Sequence, residues 1–468
     1  MMPLPTPPRR SRLNTSIFIG LWLGLTAMVG ICAFAGLYIL LTRDAPPASP
    51  APTTPAPEGQ ETPPPQPDAT ATLILPPTVA VPTQGVPTAD EGGGGGEGVV
   101  ECASRPQPAS GFGYGIQSHV FVGDNDYWLG VITDKLGFNW VKMQVRWYDL
   151  EREQGGIFWD VLDGAMNEAC EKGLRVMLSI VAAPDWTWAN PLPAPEGQEA
   201  PPDNPGHYAN FLGQVIDRYP GRVGAIEVWN EMNLEREWNT ADGVDPAAYV
   251  RLLEVAYTTI KSKDSSILVI SGALSPTGIN CQGSFPACPG EGRVIVMDDV
   301  SYLTAFVEAG GLAFADCIGT HSNGTNLPPT ADGANPPLRG DETFGGPWDN
   351  PHYSWALRSQ VETYAAILGG QKQQCVTEFG YASPIDGLYP GFFGFAADVS
   401  EAEQAQYLVD AFNWMRDSGQ VRLAFLFNLD YGPKGGEPAT DDNVIFSVLY
   451  KDGTGRPAFD ALGAMEKQ

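Results

Sequence analysis

The chain has 468 residues, with 27 Lys and Arg against 55 Asp and Glu, a formal charge of −28. A body this acidic repels phosphate, which excludes nucleic acid and anionic head groups as its partners. It is not a disordered acidic chain either, because 43% of its residues are hydrophobic and 10% aromatic.

The charge is unevenly divided along the chain. Residues 1–44 carry +3, residues 45–100 hold six acids and no base, and residues 101–468 carry −25. After a basic tip at 1–16, residues 17–41 form an uncharged run of 25. At ~1.5 Å per residue this run is long enough to cross a hydrocarbon core of ~30 Å. A cleaved signal peptide is the alternative, since Ala33-Phe34-Ala35 resembles a cleavage site. Apolar sequence continues past that site, however, whereas signal cores run only about 7–15 residues. The expectation is an uncleaved transmembrane helix in contact with the lipid bilayer. Arg9, Arg10 and Arg12 keep the N-terminus cytoplasmic and leave the C-terminal body extracellular. Residues 42–105 read as an extended linker, with 14 prolines within 45–100 and five glycines at 92–96.

From residue 106 to 468 short β-rich apolar runs alternate with stretches of helical period. Strands are expected at 112–117, 140–145, 175–180, 225–229, 268–272, 317–320, 374–378 and 421–428. Helices are expected at 127–136, 159–172, 207–219, 246–262, 298–309, 353–368, 401–418 and 457–467. Gly137, Gly173 and Gly419 each close a helix. Eight such repeats predict an α/β fold, a single (β/α)8 TIM barrel with right-handed crossovers. An open doubly wound sheet is the structural alternative. It needs a glycine-rich phosphate loop after its first strand, and Gly111-Phe112-Gly113-Tyr114-Gly115 precedes or lies within that strand instead.

Six cysteines fall outside 17–41. Cys281 and Cys288, in a Gly/Pro-rich loop, are the first choice for a disulfide. Cys317 and Cys375 open two adjacent strands and either pair or remain buried thiols; Cys102 and Cys170 are unconstrained. There is no CxxC and no Cys/His metal spacing among four His, so neither a metal nor a cofactor is expected.

The segments after the strands are the long ones, at 182–206, 230–245, 273–297, 321–351 and 379–400. In a barrel these build the face where chemistry sits. Two strand ends there carry a glutamate. The fourth reads Glu227-Val228-Trp229-Asn230-Glu231 and the seventh Thr377-Glu378-Phe379-Gly380. A carboxylate in a packed barrel costs desolvation energy unless it is paired or used. Glutamates on strands 4 and 7 can face a substrate from opposite sides, the arrangement of a glycosidase acid and nucleophile. Glu227 lies on the same side of its strand as Trp229 and Glu231, deeper in the barrel, and is not expected to be catalytic.

Trp-Asn-Glu on strand 4 with Thr-Glu-Phe-Gly on strand 7 resembles the clan A glycoside hydrolases, the cellulase-like family 5 and β-xylosidase-like family 39 above all. The resemblance covers roughly 110–468. It implies Glu231 as acid/base, Glu378 as nucleophile and Asn230 as the ligand of the sugar 2-hydroxyl. It further implies Arg146 as the cation keeping the nucleophile ionised and His321 as a group lining the site. The chain departs from family 5 in three places. His321-Ser322-Asn323 lacks the tyrosine that contacts the nucleophile, leaving Tyr381 as its candidate replacement. Phe427-Asn428 stands where a tryptophan platform is usual, and Met232 stands for a proline.

Trp147, Trp186, Trp188, Trp238 and Trp348 fall in the post-strand loops, and Trp186 and Trp238 are the preferred sugar platforms, with loop core as the structural alternative. The expected function is a retaining O-glycoside hydrolase acting on β-linked poly- or oligosaccharide outside the membrane, with no protein partner evident. A catalytically inactive carbohydrate-binding scaffold is the rival. A barrel of unrelated hydrolytic chemistry is the third option, favoured by carboxyl groups more than about 10 Å apart.

Overall fold

The computed structural model describes residues 111–189, 199–283, 290–323, 326–336 and 351–467. The expected membrane helix, the linker, Cys102, Cys288 and Trp348 lie outside the described residues. Among the described residues no helix is long and apolar enough to cross a membrane.

Eight strands follow one another with helices between them: β1 Gly113–Gln117, β2 Trp140–Arg146, β3 Arg175–Val181, β4 Val223–Val228, β5 Leu268–Ser271, β6 Ile318–Asn323, β7 Gln374–Gly380 and β8 Val421–Leu426. All neighbouring pairs from β5 through β1 to β8, β7 and β6 are parallel. The circle closes between β5 and β6, where Ile270 bridges Cys317 and Leu274 bridges Thr320. The result is a parallel (β/α)8 barrel, as the eight-fold alternation predicts. Its outer helices are α1 Asn125–Asp134, α2 Asp160–Glu171, α3 Pro205–Arg218, α4 Pro246–Lys263, α5 Asp299–Glu308, α6 Leu357–Leu368, α7 Glu401–Ser418 and α8 Pro457–Ala464. Their ends follow local chemistry. Asn204, Asp245 and Ser400 cap α3, α4 and α7, and Gly419 leaves α7 with φ 65°.

Strand parity splits the core in two. Val141, Met143, Ile226, Val228 and Val376 face the helices, in one continuous apolar layer with Leu129, Phe211, Leu253 and Phe412. Trp140, Met177, Ala225, Leu268, Ile270, Cys317, Cys375, Leu423 and Phe425 fill the barrel interior. β1 contributes only glycine to that inner layer. A Cβ on Gly113 would sit 2.2 Å from Leu423, and one on Gly115 2.3 Å from Phe425. The glycine run at 111–115 therefore serves barrel packing, not a phosphate loop. Cys317 and Cys375 form a disulfide inside this layer, joining β6 to β7. Cys170 and Cys281 each take part in a disulfide as well, with partners outside the described residues.

Above the apolar floor the interior turns polar. Lys142, Ser179 and Glu227 are buried on the inward faces of β2, β3 and β4. This switch places charge beneath the mouth of the barrel, where the long loops begin.

Candidate active site

β4 ends in a strained turn. Trp229 has φ 74° and Glu231 φ 37°, left-handed values that non-glycine residues adopt only when their surroundings enforce them. Three contacts do so. The Tyr249 hydroxyl of α4 donates to the Val228 carbonyl at 2.9 Å and accepts from the Gly272 amide at 2.5 Å. The Glu231 amide donates to the Ala273 carbonyl at 2.9 Å. Asn233 donates to the carbonyls of Ser275 and Met297 at 2.8 and 3.0 Å and accepts from the Ser275 amide at 2.9 Å. The turn is thus pinned to the end of β5. Gly272 permits this approach, since a Cβ there would lie 2.8 Å from the Val228 carbonyl oxygen. Gly272→Ala is expected to displace Glu231 and, on the hydrolase reading proposed below, to lower kcat by roughly 10²-fold, the effect of an ångström-scale misplacement. Steady-state kinetics beside an unchanged far-ultraviolet circular dichroism spectrum checks this.

Glu231 and Glu378 meet at one imidazole. His321, fully buried on β6, has Nδ1 3.1 Å from Glu231 Oε1 and 3.8 Å from Glu378 Oε2. The two carboxylate oxygens can be no farther apart than the total of those distances. The bound holds for that one pair of oxygens; a C–O bond at each end lets the carboxyl carbons lie farther apart, so it admits both the ~5–5.5 Å of retaining and the ~6.5–9.5 Å of inverting glycosidases and excludes only separations beyond about 10 Å.

The cation on Glu378 is Lys142, not Arg146. The fully buried Lys142 Nζ lies 2.7 Å from Glu378 Oε1 and 3.2 Å from Glu227 Oε2. Arg146 sits where β2 gives way to the helix Trp147–Leu150. Its side chain is half exposed and pairs with Glu199 at 3.3 Å and Asp149 at 3.6 Å. Tyr381 likewise does not replace the missing tyrosine: its ring packs on Tyr407 of α7, in the outer core. Asn323 fills that place, donating to Glu378 Oε2 at 3.2 Å. Burial raises the Glu378 pKa, but the charges of His321 and Lys142 outweigh it and hold the carboxyl below its usual range. Burial lowers Lys142 and His321, and the surrounding glutamates outweigh it, so both pKa values are raised.

Glu231 carries a second cation. Arg236, on the loop after β4, donates to Glu231 Oε2 while its side chain stays 62% exposed. Burial raises the Glu231 pKa; Arg236 and His321 together outweigh it and pull the carboxyl far below its usual range. Beside this pair, Glu237 and Glu199 are raised, first by burial and in Glu237 next by the charge of Glu199.

Asn230 is buried, and its side-chain oxygen has no hydrogen-bond partner among the described residues. Trp238 is no platform: it is 2% exposed and packs edge-on to Trp229 and Tyr249 in the core. Trp186 is partly buried, packs edge-on to Trp147, and donates to the Glu151 carbonyl at 3.0 Å. An aromatic surface that sequence reasoning missed is His119 stacked on Tyr431 at 4.6 Å; Glu378 acts electrostatically on the Tyr431 hydroxyl. Lys142, Asn323 and Arg236 were missed too. Strand parity could have found Lys142, which shares its inward face with Trp140.

Asp298, Asp299 and His352 form a cluster with metal-ligand spacing. The Ser354 amide donates to His352 Nδ1 at 3.3 Å, which puts the imidazole proton on Nε2, 2.9 Å from Asp298 Oδ2. Asp298 in turn caps α5 through Ser301 at 2.8 Å. The imidazole therefore presents a proton, not a lone pair, to the carboxylate.

No family model and no curated protein matches the chain. Among solved structures it is similar to a family 39 glycoside hydrolase from the gut symbiont Bacteroides cellulosilyticus WH2, with TM-score 0.51 and 18% identity, over 75% of this chain and 62% of that one. It is also similar to the family 39 enzyme of Xanthomonas axonopodis pv. citri, with TM-score 0.50 and 17% identity, over 77% of this chain and 67% of that one. The chain thus spans less than two thirds of the first of these proteins, and the likeness is one of fold.

Proposed function

We propose that the barrel is a clan A-type glycoside hydrolase that cleaves β-linked glycosides by retaining double displacement. The observation that carries this is the convergence of Glu231 and Glu378 on His321 Nδ1, at 3.1 and 3.8 Å. Glu378, kept ionised by Lys142 and His321, attacks the anomeric carbon as the bond to the leaving oxygen breaks. Glu231 gives its proton to that oxygen, then takes one from the water that releases the sugar from Glu378. The unpartnered oxygen of Asn230 is available to a sugar hydroxyl. The His119–Tyr431 stack offers a flat face for the apolar side of a ring. Residues 17–41 and 42–105 would tether this barrel outside the membrane, a proposal resting on their sequence alone.

One observation favours the rival, an inactive carbohydrate-binding barrel: Arg236 holds Glu231 ionised, and an ionised carboxylate is no acid. Turnover of a panel of aryl β-glycosides, with the product anomer followed by NMR, separates the two. Release of the β-anomer first supports double displacement, and the α-anomer first overturns it. A protein inert on every glycoside yet retained on glycan arrays is the binding barrel.

A further inference from the structure

The acid/base carboxylate of a glycosidase must hold a proton when substrate is bound, and in the empty cleft Glu231 is arranged to lose it. Its Oε2 accepts from the Arg236 guanidinium and its Oε1 lies on His321. Arg236 is not locked there. Its side chain is mostly exposed, and its Nε is 3.8 Å from Oε1 of the next residue, Glu237. Glu237 has the makings of a second berth. Its side chain is 15% exposed, and its Oε2 is buried with no hydrogen-bond partner among the described residues. Such an orphaned oxygen is costly unless the group is neutral or a cation can reach it.

We propose that Arg236 is a substrate-driven latch on the acid/base, paired with Glu231 in the empty cleft and displaced toward Glu237 by the sugar on the leaving-group side, as a proton passes the opposite way from Glu237 to Glu231. This rests on the hydrolase reading above and makes Arg236 and Glu237 positioning residues of that site. The exchange balances. Neutral Glu237 and ionised Glu231 become ionised Glu237 and neutral Glu231, while one guanidinium changes partner and the net charge stays constant.

The surrounding groups fit this direction. Glu237 is raised well above the ordinary carboxyl, by burial first and then by Glu199 of the loop before α3; Arg236 lowers it, and Glu231 and Glu378 raise it further. A proton is therefore favoured on Glu237 until the guanidinium, at 3.8 Å, moves onto it. Glu199 is itself held by Arg146 at 3.3 Å. Asp442, at the start of the short helix after β8, acts electrostatically on both Arg236 and Glu231 and adds to the pull on the guanidinium. When Arg236 leaves, Glu378 keeps Lys142 and Asn323, whereas among the described residues Glu231 keeps only His321. Lys142 also faces Glu227 and works against the upward shift that Glu378 and Glu231 give His321. Glu231 has then lost the larger of the two charges that depress it, and the nucleophile keeps its cation.

The test is the pH dependence of kcat/KM, which reports the free enzyme, against that of kcat, which reports the bound complex. In the wild-type protein the basic limb of kcat/KM is expected about 1–3 pH units below that of kcat, the usual effect of an adjacent opposite charge. Arg236→Gln should raise the kcat/KM limb by that amount, and Arg236→Lys should keep it low. Glu237→Gln, which removes berth and proton, should bring the kcat limb down toward that of kcat/KM. Coincident limbs in the wild type, or an Arg236→Gln profile identical to it, overturn the latch. Full turnover by Glu231→Gln on an aryl glycoside with a poor leaving group overturns instead the acid/base reading beneath it.

Discussion

Glu378→Gln is expected to lose turnover by on the order of 10⁴-fold or more, because it removes the atom proposed to form the covalent intermediate. The amide preserves volume, so the loss reports chemistry and not a cavity. Glu231→Gln behaves differently. Its loss should depend on the leaving group, about 10²–10⁴-fold for a poor one that needs a proton and far less for a nitrophenolate that departs unaided. The contrast is diagnostic, since a residue with a purely structural role depresses all substrates alike. Turnover on a series of aryl β-glycosides of graded leaving-group acidity measures it. Equal losses for both variants across the series would remove the separate roles given to the two glutamates.

The placing of those two residues at one mouth of the barrel was legible in the sequence, because each stands at or just past the end of a recognisable strand in an eight-unit count. The groups around them were not, for reasons of geometry. Period-two alternation puts Glu227, Trp229 and Glu231 on one side of β4. Glu227 does face inward to Lys142, but Trp229 lies in the outer core beside Tyr208 and Trp238. The left-handed φ at Trp229 and Glu231 breaks the alternation just past Val228. The same limit explains Arg146. It closes β2 at a position that invites a role at the mouth, but the chain turns at once into a short helix and carries the guanidinium to Glu199. Lys142, four residues earlier and still within regular strand, keeps the parity that its position predicts. Arg236 and Asn323 carry no local signal, because their significance depends on loops that fold back over the barrel mouth. The cysteines show the converse. Cys317 and Cys375 could be placed side by side from strand order alone, since each opens one of two adjacent parallel strands.

Lys142→Met carries the largest expected stability effect. Lys142 is fully buried, with its ammonium between Glu378 at 2.7 Å and Glu227 at 3.2 Å. Removing the cation strands two carboxylates in the barrel interior, leaving His321 near both and the Asn323 amide on Glu378. Breaking a buried pair from one side costs about 3–5 kcal/mol. The penalty is largest while both carboxylates are charged, and the site relieves it by taking up a proton. The sign follows from Glu378. Its folded pKa is depressed, so the stability it contributes is present above the unfolded value of about 4.3 and is lost as pH falls through the folded one. Without Lys142 the folded value rises, and both this stability and the ionised nucleophile are lost at higher pH. The acid limb of kcat/KM is therefore expected to move upward in Lys142→Met, alongside a lower denaturation midpoint. Adding Glu227→Gln separates the two effects. It removes one stranded charge and should recover part of the stability, yet it returns no cation to Glu378, so the acid limb stays high. Denaturant melts across pH 4–8 and pH–rate profiles of the single and double variants decide the matter. An acid limb that falls back with Glu227→Gln would show that Lys142 serves Glu227 and not the nucleophile.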